Sequence, residues 1–215
     1  MTENARATIL GSIRSALGAA LDVRAIAAEY ASLPRAYKRL GTIDSEALLK
    51  LFTARLLEYD AGVYRCGAED IGAEVGRILS LRGMKRMAIP DDLPTGWLPP
   101  GFEFAKASRF NEMQLDKLDG VFSGCTVAIA ETGSIVLQNA PAQGPRSLSL
   151  VPDYQLCVVF ADQVVETVPE SFARLEATST LPTTFFSGPS ATADIEMTRI
   201  KGVHGPRFLD VLLVD

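Results

Sequence analysis

The sequence predicts an α/β fold in which helices flank a mostly parallel sheet, and three observations lead to this class. In the second half of the chain, strand-like segments alternate with helix-like segments. Several of the strand-like segments, such as 156–160, are continuous apolar runs. Such runs are typical of strands in a parallel sheet, because helices cover both of its faces. The beginning of the chain adds a helical segment, since its apolar residues recur three and four positions apart.

The first sixty residues are predicted to be helical. The first helix carries one apolar stripe, formed by Ile9, Ile13 and Leu17. A second helix begins at residue 23 and ends before Pro34, because proline disfavours helical geometry in the residue before it. Asp44 or Ser45 caps a third helix. We therefore expect residues 1–60 to form a helical N-terminal segment packed on the core, and residues 61–215 to form the α/β domain.

The remaining segments are assigned by continuous apolar runs and by helical spacing. Strands are predicted at 63–66, 86–89, 126–130, 134–137, 156–160, 184–186 and 208–214. Helices are predicted at 68–81, 111–118, 169–177 and 191–200. The Pro- and Gly-rich stretches 91–104 and 139–145 are predicted to be loops.

Composition and charge argue against several classes of protein. The 215 residues carry a net charge of −5 and no basic block, so we expect no nucleic-acid partner. No apolar run approaches the ~20 residues that a membrane-spanning helix needs, and residues 1–4 do not begin a signal peptide. We therefore expect no membrane insertion and a cytoplasmic location. The three cysteines, Cys66, Cys125 and Cys157, show no zinc or iron–sulfur spacing, and we expect neither a metal nor a cofactor.

The first motif with chemical potential is the segment Ala130-Glu131-Thr132-Gly133-Ser134, which follows an apolar strand. In open parallel sheets, ligands gather at the carboxyl ends of the strands, so Glu131 is a candidate nucleophile, general base or ligand acceptor. The alternative is a tight turn in which Gly133 has a positive φ. The residues alone leave both interpretations open.

The second motif extends from Ser187 through Gly188, Pro189 and Ser190 to Asp194. It predicts a strand that feeds a glycine turn and then a helix, whose free N–H groups would suit a phosphate or carboxylate. The sequence is neither a Walker loop nor a dinucleotide-binding fingerprint. A negative Asp194 in the first turn is unusual for an anion site, so a simple helix terminus is the alternative.

The third motif, Gly202-Val203-His204-Gly205-Pro206, contains the one histidine of the sequence. Imidazole titrates near neutral pH, so His204 is a candidate for proton transfer. The alternative is a local hydrogen-bonding role in a rigid turn.

In this order, the three motifs resemble the LUD domain of the lactate utilisation protein C (LutC/YkgG) family, most strongly from about residue 120 to residue 215. The resemblance implies the fold shared by glucosamine-phosphate deaminase, ribose-phosphate isomerase and CoA transferases (NagB/RpiA/CoA-transferase-like). It also implies two catalytic candidates, Glu131 and His204. The ligand-binding residues that it implies are Thr132, Gly133, Arg146, Gly188, Pro189, Ser190, Thr192, Asp194 and Gly205. Arg146 could pair with the carboxylate of lactate or pyruvate, or form an ordinary loop salt bridge.

The resemblance further implies a role in bacterial oxidation of L-lactate to pyruvate, together with two iron–sulfur partner subunits. Because this chain has no cluster motif, we expect it to be an accessory subunit that binds a small anionic metabolite or a partner. The alternatives are a stand-alone enzyme of CoA-transferase or sugar-phosphate-isomerase type that uses Glu131, and a sensor that binds a metabolite without changing it. The enzyme hypothesis rests on fold analogy.

Overall fold

The structure, a computed structural model, describes residues 2–18, 22–192, 200–202 and 205–215. The chain divides into two compact units, residues 1–37 and residues 38–215. The division at residue 60 that the sequence suggests stays a prediction. Among the described residues, no helix combines the length and the apolar content needed to cross a membrane.

The first unit contains two helices, α1 (Thr2–Leu17) and α2 (Val23–Ser32). Asp22 caps α2, because its carboxylate accepts from the backbone N–H groups of Arg24 and Ala25. The helix ends two residues before Pro34, as predicted. Beyond it, the Arg35 guanidinium lies 4.6 Å from the centre of the Tyr30 ring.

The second unit is built around a six-stranded parallel sheet with the strand order β1-β12-β7-β4-β2-β3. Its strands are β1 (Gly62–Cys66), β2 (Arg86–Ile89), β3 (Glu103–Lys106), β4 (Gly120–Ser123), β7 (Tyr154–Phe160) and β12 (Phe208–Val214). The helices of this unit are α3 (Ser45–Glu58), α4 (Ile71–Arg82), α5 (Glu112–Leu115) and α6 (Val168–Leu175). The prediction of a mostly parallel sheet flanked by helices is confirmed.

Different elements cover the two faces of this sheet. On one face, α4 packs buried side chains such as Val75 and Ile78 against Phe122 and Leu156 of the sheet. On the other face, Phe52 and Leu56 of α3 share a core with the sheet. Each strand of the sheet centre is therefore buried on both sides, which explains why residues 156–160 of β7 and 211–214 of β12 are continuous apolar runs.

A second, four-stranded sheet was not foreseen. It has the order β8-β5-β6-β9, in which β5 pairs antiparallel with β6, β6 pairs antiparallel with β9, and β5 pairs parallel with β8. Its strands are β5 (Val127–Ile129), β6 (Ser134–Gln138), β8 (Val164–Val165) and β9 (Thr183–Ser187). One face packs into the core that contains α3. The other face packs against Leu175 of α6.

The predicted helix at 191–200 is wrong at both of its ends. Residues Ala191–Thr192 form β10 and residues Ile200–Lys201 form β11, and the two short strands pair antiparallel. Residues 193–199 lie outside the described part of the chain. The segment after Pro189 therefore begins as a strand, so the helix N-terminus predicted at residue 191 as an anion site is not formed there.

A buried ion pair lies within the large sheet. Asp210 of β12 is fully buried, and its two carboxylate oxygens accept from Arg82 Nε at 2.7 Å and from Arg82 Nη2 at 2.5 Å. The Tyr154 hydroxyl donates to the same carboxylate at 2.9 Å. Three hydrogen bonds therefore compensate the desolvation of this carboxylate, which joins α4 to the two central strands β12 and β7.

Candidate functional site

The first motif forms the turn between β5 and β6. Gly133 has a φ of 59°, so its predicted positive φ is confirmed. A Cβ at this position would lie 2.8 Å from the Cβ of Arg55, so the turn also lies directly against α3. Glu131 therefore belongs to the turn between β5 and β6 of the four-stranded sheet, which is the second of the two interpretations that the sequence leaves open.

Glu131 is engaged by a lysine in this structure. The Lys38 ammonium donates to Glu131 Oε1 at 3.1 Å and also donates to Glu166. The Glu131 side chain is 40% exposed. Here it is an ion-paired carboxylate at the surface, and its role as a nucleophile or base stays a prediction.

Glu166 is the buried member of this cluster, with 5% of its side chain exposed. Its carboxylate accepts hydrogen bonds from the Lys38 ammonium and from the backbone N–H groups of Thr42 and Ile43. The hydrogen bond from Lys38, followed by those from the backbone, lowers the pKa of Glu166 to about 2. The same contacts raise the pKa of Lys38. Glu166 thus fastens the segment that precedes α3 to the end of β8.

We expect Glu166→Gln to lower the melting temperature by several degrees at pH 7, because the amide cannot replace the charge that holds Lys38. The folded-state pKa of Glu166 is lowered from 4.5. Its stabilisation is therefore present above that value and is lost as the pH falls toward 2. Thermal unfolding followed by circular dichroism should show that the difference in melting temperature between Glu166→Gln and the wild type becomes smaller as the pH falls over this range. Glu46→Gln, which removes an exposed pair with Lys50, is the matched control. A gap that does not change with pH would contradict the assignment.

The second motif and Arg146 line one cleft of about 400 Å³. Its other walls are β9, Tyr59 and the segment at Gly205 and Pro206. Five of the predicted ligand-binding residues are brought together in this lining: Arg146, Gly188, Pro189, Ser190 and Gly205. The volume lies in the range of small-molecule sites, which is roughly 300–1,000 Å³.

Arg146 is the cation of this lining. Its Nη1 donates to the Ser149 hydroxyl at 2.8 Å, and that hydroxyl donates to the backbone oxygen of Arg146 at 3.0 Å. Partial burial lowers the pKa of the guanidinium. Within the ranges that the structure describes, no carboxylate forms an ion pair with Arg146, so the predicted alternative of a loop salt bridge has no partner there.

The loop after β9 is held by backbone hydrogen bonds. Ser190 N–H donates to the Pro206 oxygen at 2.8 Å, and Gly202 N–H donates to the Ser190 oxygen at 2.9 Å. Gly188 has a φ of 82°, and its α-carbon lies against Tyr59. The second and third motifs are therefore neighbours in space.

A chain of three hydroxyl groups connects the first motif to the end of β9. Thr132 Oγ1 lies 2.7 Å from Ser134 Oγ, and Ser134 Oγ lies 2.6 Å from Ser187 Oγ. Ser134 is buried, whereas Ser187 is exposed and lines the cleft. Ser134 and Ser187 face each other across the β6–β9 pair.

The remaining predicted residues have different positions. Glu131 and Gly133 are not among the residues that line the cleft. Thr192 belongs to β10, next to Ala191 of the lining. Asp194 and His204 lie outside the described residues. No group of three His, Cys, Asp or Glu side chains is placed to hold a metal ion, as far as the described ranges extend.

Sequence reasoning missed Glu166, Ser149 and the hydroxyl chain. Glu166 had one local signal, because an acidic residue interrupts an apolar run just before the capping box that joins Thr167 and Glu170. Ser149 had none. Ser134 and Ser187 were part of the recognised motifs, but no sequence pattern shows that their strands are neighbours.

The comparisons with known proteins agree with this architecture. The model of the LUD domain family matches residues 44–214. Lactate utilization protein C of Deinococcus radiodurans is 37% identical over 194 residues, which are 89% of this chain and 91% of that protein. The uncharacterized protein YkgG of Escherichia coli is 38% identical over 93 residues, which are 40% of each chain.

A solved structure gives the same result for the fold. The crystal structure of a DUF162 family protein from Deinococcus radiodurans superposes with a TM-score of 0.72 at 33% identity. The superposition covers 81% of this chain and 100% of that one. Because the family model matches most of the length of this chain, the chain belongs to the LUD domain family, among the LutC/YkgG proteins.

Proposed function

We propose that this protein takes part in bacterial oxidation of L-lactate to pyruvate as the subunit without an iron–sulfur cluster, and that its cleft binds a small carboxylate. The observation that carries the proposal is the Arg146 guanidinium, which lines the cleft without a carboxylate partner among the described residues. Arginine is the side chain best suited to a planar carboxylate, because its N–H groups match both oxygens.

The geometry supports a carboxylate ligand in a second way. Guanidinium has five N–H groups, and Ser149 receives one bond from Nη1. The others have no partner among the described side chains and backbone groups, so they remain available to an anion. Partial burial strengthens the attraction, since charges interact more strongly away from bulk water.

The link to lactate comes from the relatives. The proteins of Deinococcus radiodurans and Oceanobacillus iheyensis that match this chain are both named lactate utilization protein C. The three cysteines of this chain lack the spacing of a cluster motif, so the electrons would pass through other subunits. We therefore propose two iron–sulfur proteins of the same system as partners.

Ligand-induced thermal stabilisation tests the carboxylate site. At a ligand concentration ten times Kd, binding adds about 1.4 kcal/mol, which raises the melting temperature by roughly 3–6 °C for a chain of this size. We expect this shift with L-lactate or pyruvate on the wild type, and its loss in Arg146→Gln. Arg109→Gln, an exposed arginine outside the cleft lining, is the matched control and should keep the shift.

Other outcomes of this screen contradict the proposal. If neither L-lactate nor pyruvate raises the melting temperature, the cleft is not their binding site. A shift with CoA esters or sugar phosphates alone, lost in Glu131→Gln, would favour the stand-alone enzyme. As a check on the accessory role, L-lactate-dependent dye reduction should require the iron–sulfur partners and be absent with this chain alone.

A further inference from the structure

The cleft follows an open edge of the four-stranded sheet. β9 pairs with β6 on one side and with no other strand in the part of the chain that the structure describes. Side chains alternate between the two faces of a strand, yet all four residues 184–187 line the cleft, and no residue of β6 does. The cleft of about 400 Å³ therefore lies alongside the outer edge of β9 and not over one face of its sheet.

The backbone of Phe185 points toward this open edge. Phe185 faces Val136 in the β6–β9 ladder. The Val136 oxygen accepts from the Thr126 N–H on the β5 side, so the backbone groups of Val136 point away from β9. In an antiparallel ladder, both members of such a pair point outward. No residue that the structure describes forms a hydrogen bond with the outward N–H or C=O of Phe185, so another strand can pair with them.

The two ends of the cleft differ in chemistry. Near the start of β9, Arg146 and Thr184 line the cleft together and also share the lining of a smaller cavity. At the other end, the α-carbon of Gly188 lies against Tyr59. A chain added antiparallel to β9 would end beside Thr184, whereas a parallel chain would begin there. The cation at this end favours the antiparallel direction, because it brings a carboxyl terminus to the guanidinium.

We propose that the cleft binds the C-terminal end of a partner polypeptide, which adds to β9 as an antiparallel strand and places its terminal carboxylate on Arg146. The inference rests on the carboxylate site of the proposed function and names a partner for that site. A chain end fits better than an acidic side chain, because side chains stand perpendicular to a strand, whereas the terminal carboxylate continues the line of the backbone. Addition of an extended peptide to a sheet edge is a recurring mode of recognition.

Fluorescence anisotropy tests the terminal carboxylate. The probe is a labelled pentapeptide of alternating threonine and valine, compared with the same peptide amidated at its C-terminus. We expect the free acid to bind the wild type about tenfold tighter than the amide, because only the acid forms a charge-assisted pair with arginine. Arg146→Gln should abolish this difference, and Arg109→Gln, outside the cleft lining, should keep it. Equal binding of acid and amide to the wild type would overturn the pairing with Arg146.

N-methylated peptides test the added strand without changing the protein. The N–H groups of an added strand point alternately toward β9 and away from it. Methyl groups on one alternate set of nitrogens therefore block the ladder, and methyl groups on the other set do not. We expect one of these two isomers to bind at least about tenfold more weakly than the parent peptide, and the other to bind within about twofold of it. Equal binding of the two isomers would overturn the added strand.

A protein variant removes the same hydrogen bond from the other side. Phe185→Pro deletes the outward N–H, and proline is tolerated on an edge strand where its nitrogen faces away from the sheet. Phe185→Ala is the matched control, because it removes the ring but keeps the N–H. We expect the free-acid peptide to bind Phe185→Pro about fivefold to tenfold more weakly than Phe185→Ala. Equal affinities would contradict the role of this N–H. If Phe185→Pro does not fold, the two N-methylated isomers still decide the question.

The failures of the two proposals are distinguishable. If L-lactate or pyruvate binds the wild type and the free-acid peptide does not, the inference is overturned and the proposed function stands. If the peptide binds with the expected pattern and neither L-lactate nor pyruvate binds, the cleft is a site for a chain end, and its proposed role as a metabolite site is overturned. If none of them binds, both proposals are overturned.

Discussion

Replacing Asp210 by asparagine is expected to lower the free energy of unfolding by about 3–5 kcal/mol, the usual result of breaking a buried ion pair from one side. The asparagine would keep the shape of the side chain but remove the negative charge to which Arg82 and Tyr154 donate their hydrogen bonds. Arg82 has 34% of its side chain exposed, so its guanidinium would be left partly desolvated without an anion. The damage would fall on β12, which pairs with two neighbours of the central sheet.

Urea unfolding followed by circular dichroism measures this loss. Asp215→Asn provides the matched control, because Asp215 forms a similar forked pair with Arg65 at the surface. There the two side chains are 49% and 56% exposed, and we expect a loss below about 1 kcal/mol. If the two variants lose similar free energies of unfolding, burial of the Asp210 pair does not make it more important for stability than the exposed pair.

Gly188→Ala is the second substitution with a large expected effect. The residue has a φ of 82°, which costs an L side chain about 1–3 kcal/mol. The new Cβ would also overlap the Cβ of Tyr59 and lie 2.9 Å from its Cγ. Because overpacking adds about 1–3 kcal/mol, the total loss should be about 2–6 kcal/mol. Tyr59 and Gly188 both line the cleft, so carboxylate binding should weaken as well.

A glycine elsewhere in the chain separates the effect of backbone strain from the effect of overpacking. Gly83, after α4, has a φ of 69°, but a Cβ there would meet no atom within 4 Å. Gly83→Ala should therefore lose only the backbone part, about 1–3 kcal/mol, and should leave ligand binding unchanged. A Gly188→Ala variant as stable as Gly83→Ala would mean that Tyr59 moves aside without penalty.

Local chemistry predicted much of the fold. The predicted strands at 156–160 and 208–214 belong to the central sheet, and the turn at Gly133 has the positive φ expected of it. The cap of α3 was also predicted from the sequence, since Asp44 accepts a hydrogen bond from the Ala47 N–H at the start of this helix. These features depend on residues close together in sequence, so the chain itself carries their signal.

Features that depend on distant partners were not predictable in this way. The segment 191–200 has helical spacing, yet its ends pair with each other as strands, because hydrogen-bond partners override a weak local preference. Glu131 follows an apolar strand, but no pattern shows that this strand lies in a second sheet. The contact between Lys38 and Glu166 joins positions 128 residues apart. The resemblance, by contrast, identified five residues that line one cleft, since a family pattern preserves spatial neighbours.

The position of β12 has a consequence for how the protein is made. Arg65 of β1 and Asp215, which follows β12, pair across 150 positions of sequence. During synthesis β1 and β7 emerge long before the strand that lies between them, so each presents an unpaired edge to the cytosol of the translating cell. Closing such a long loop is slow. The central sheet is therefore completed only after β12 has left the ribosome, and until then the edges of β1 and β7 are open to aggregation.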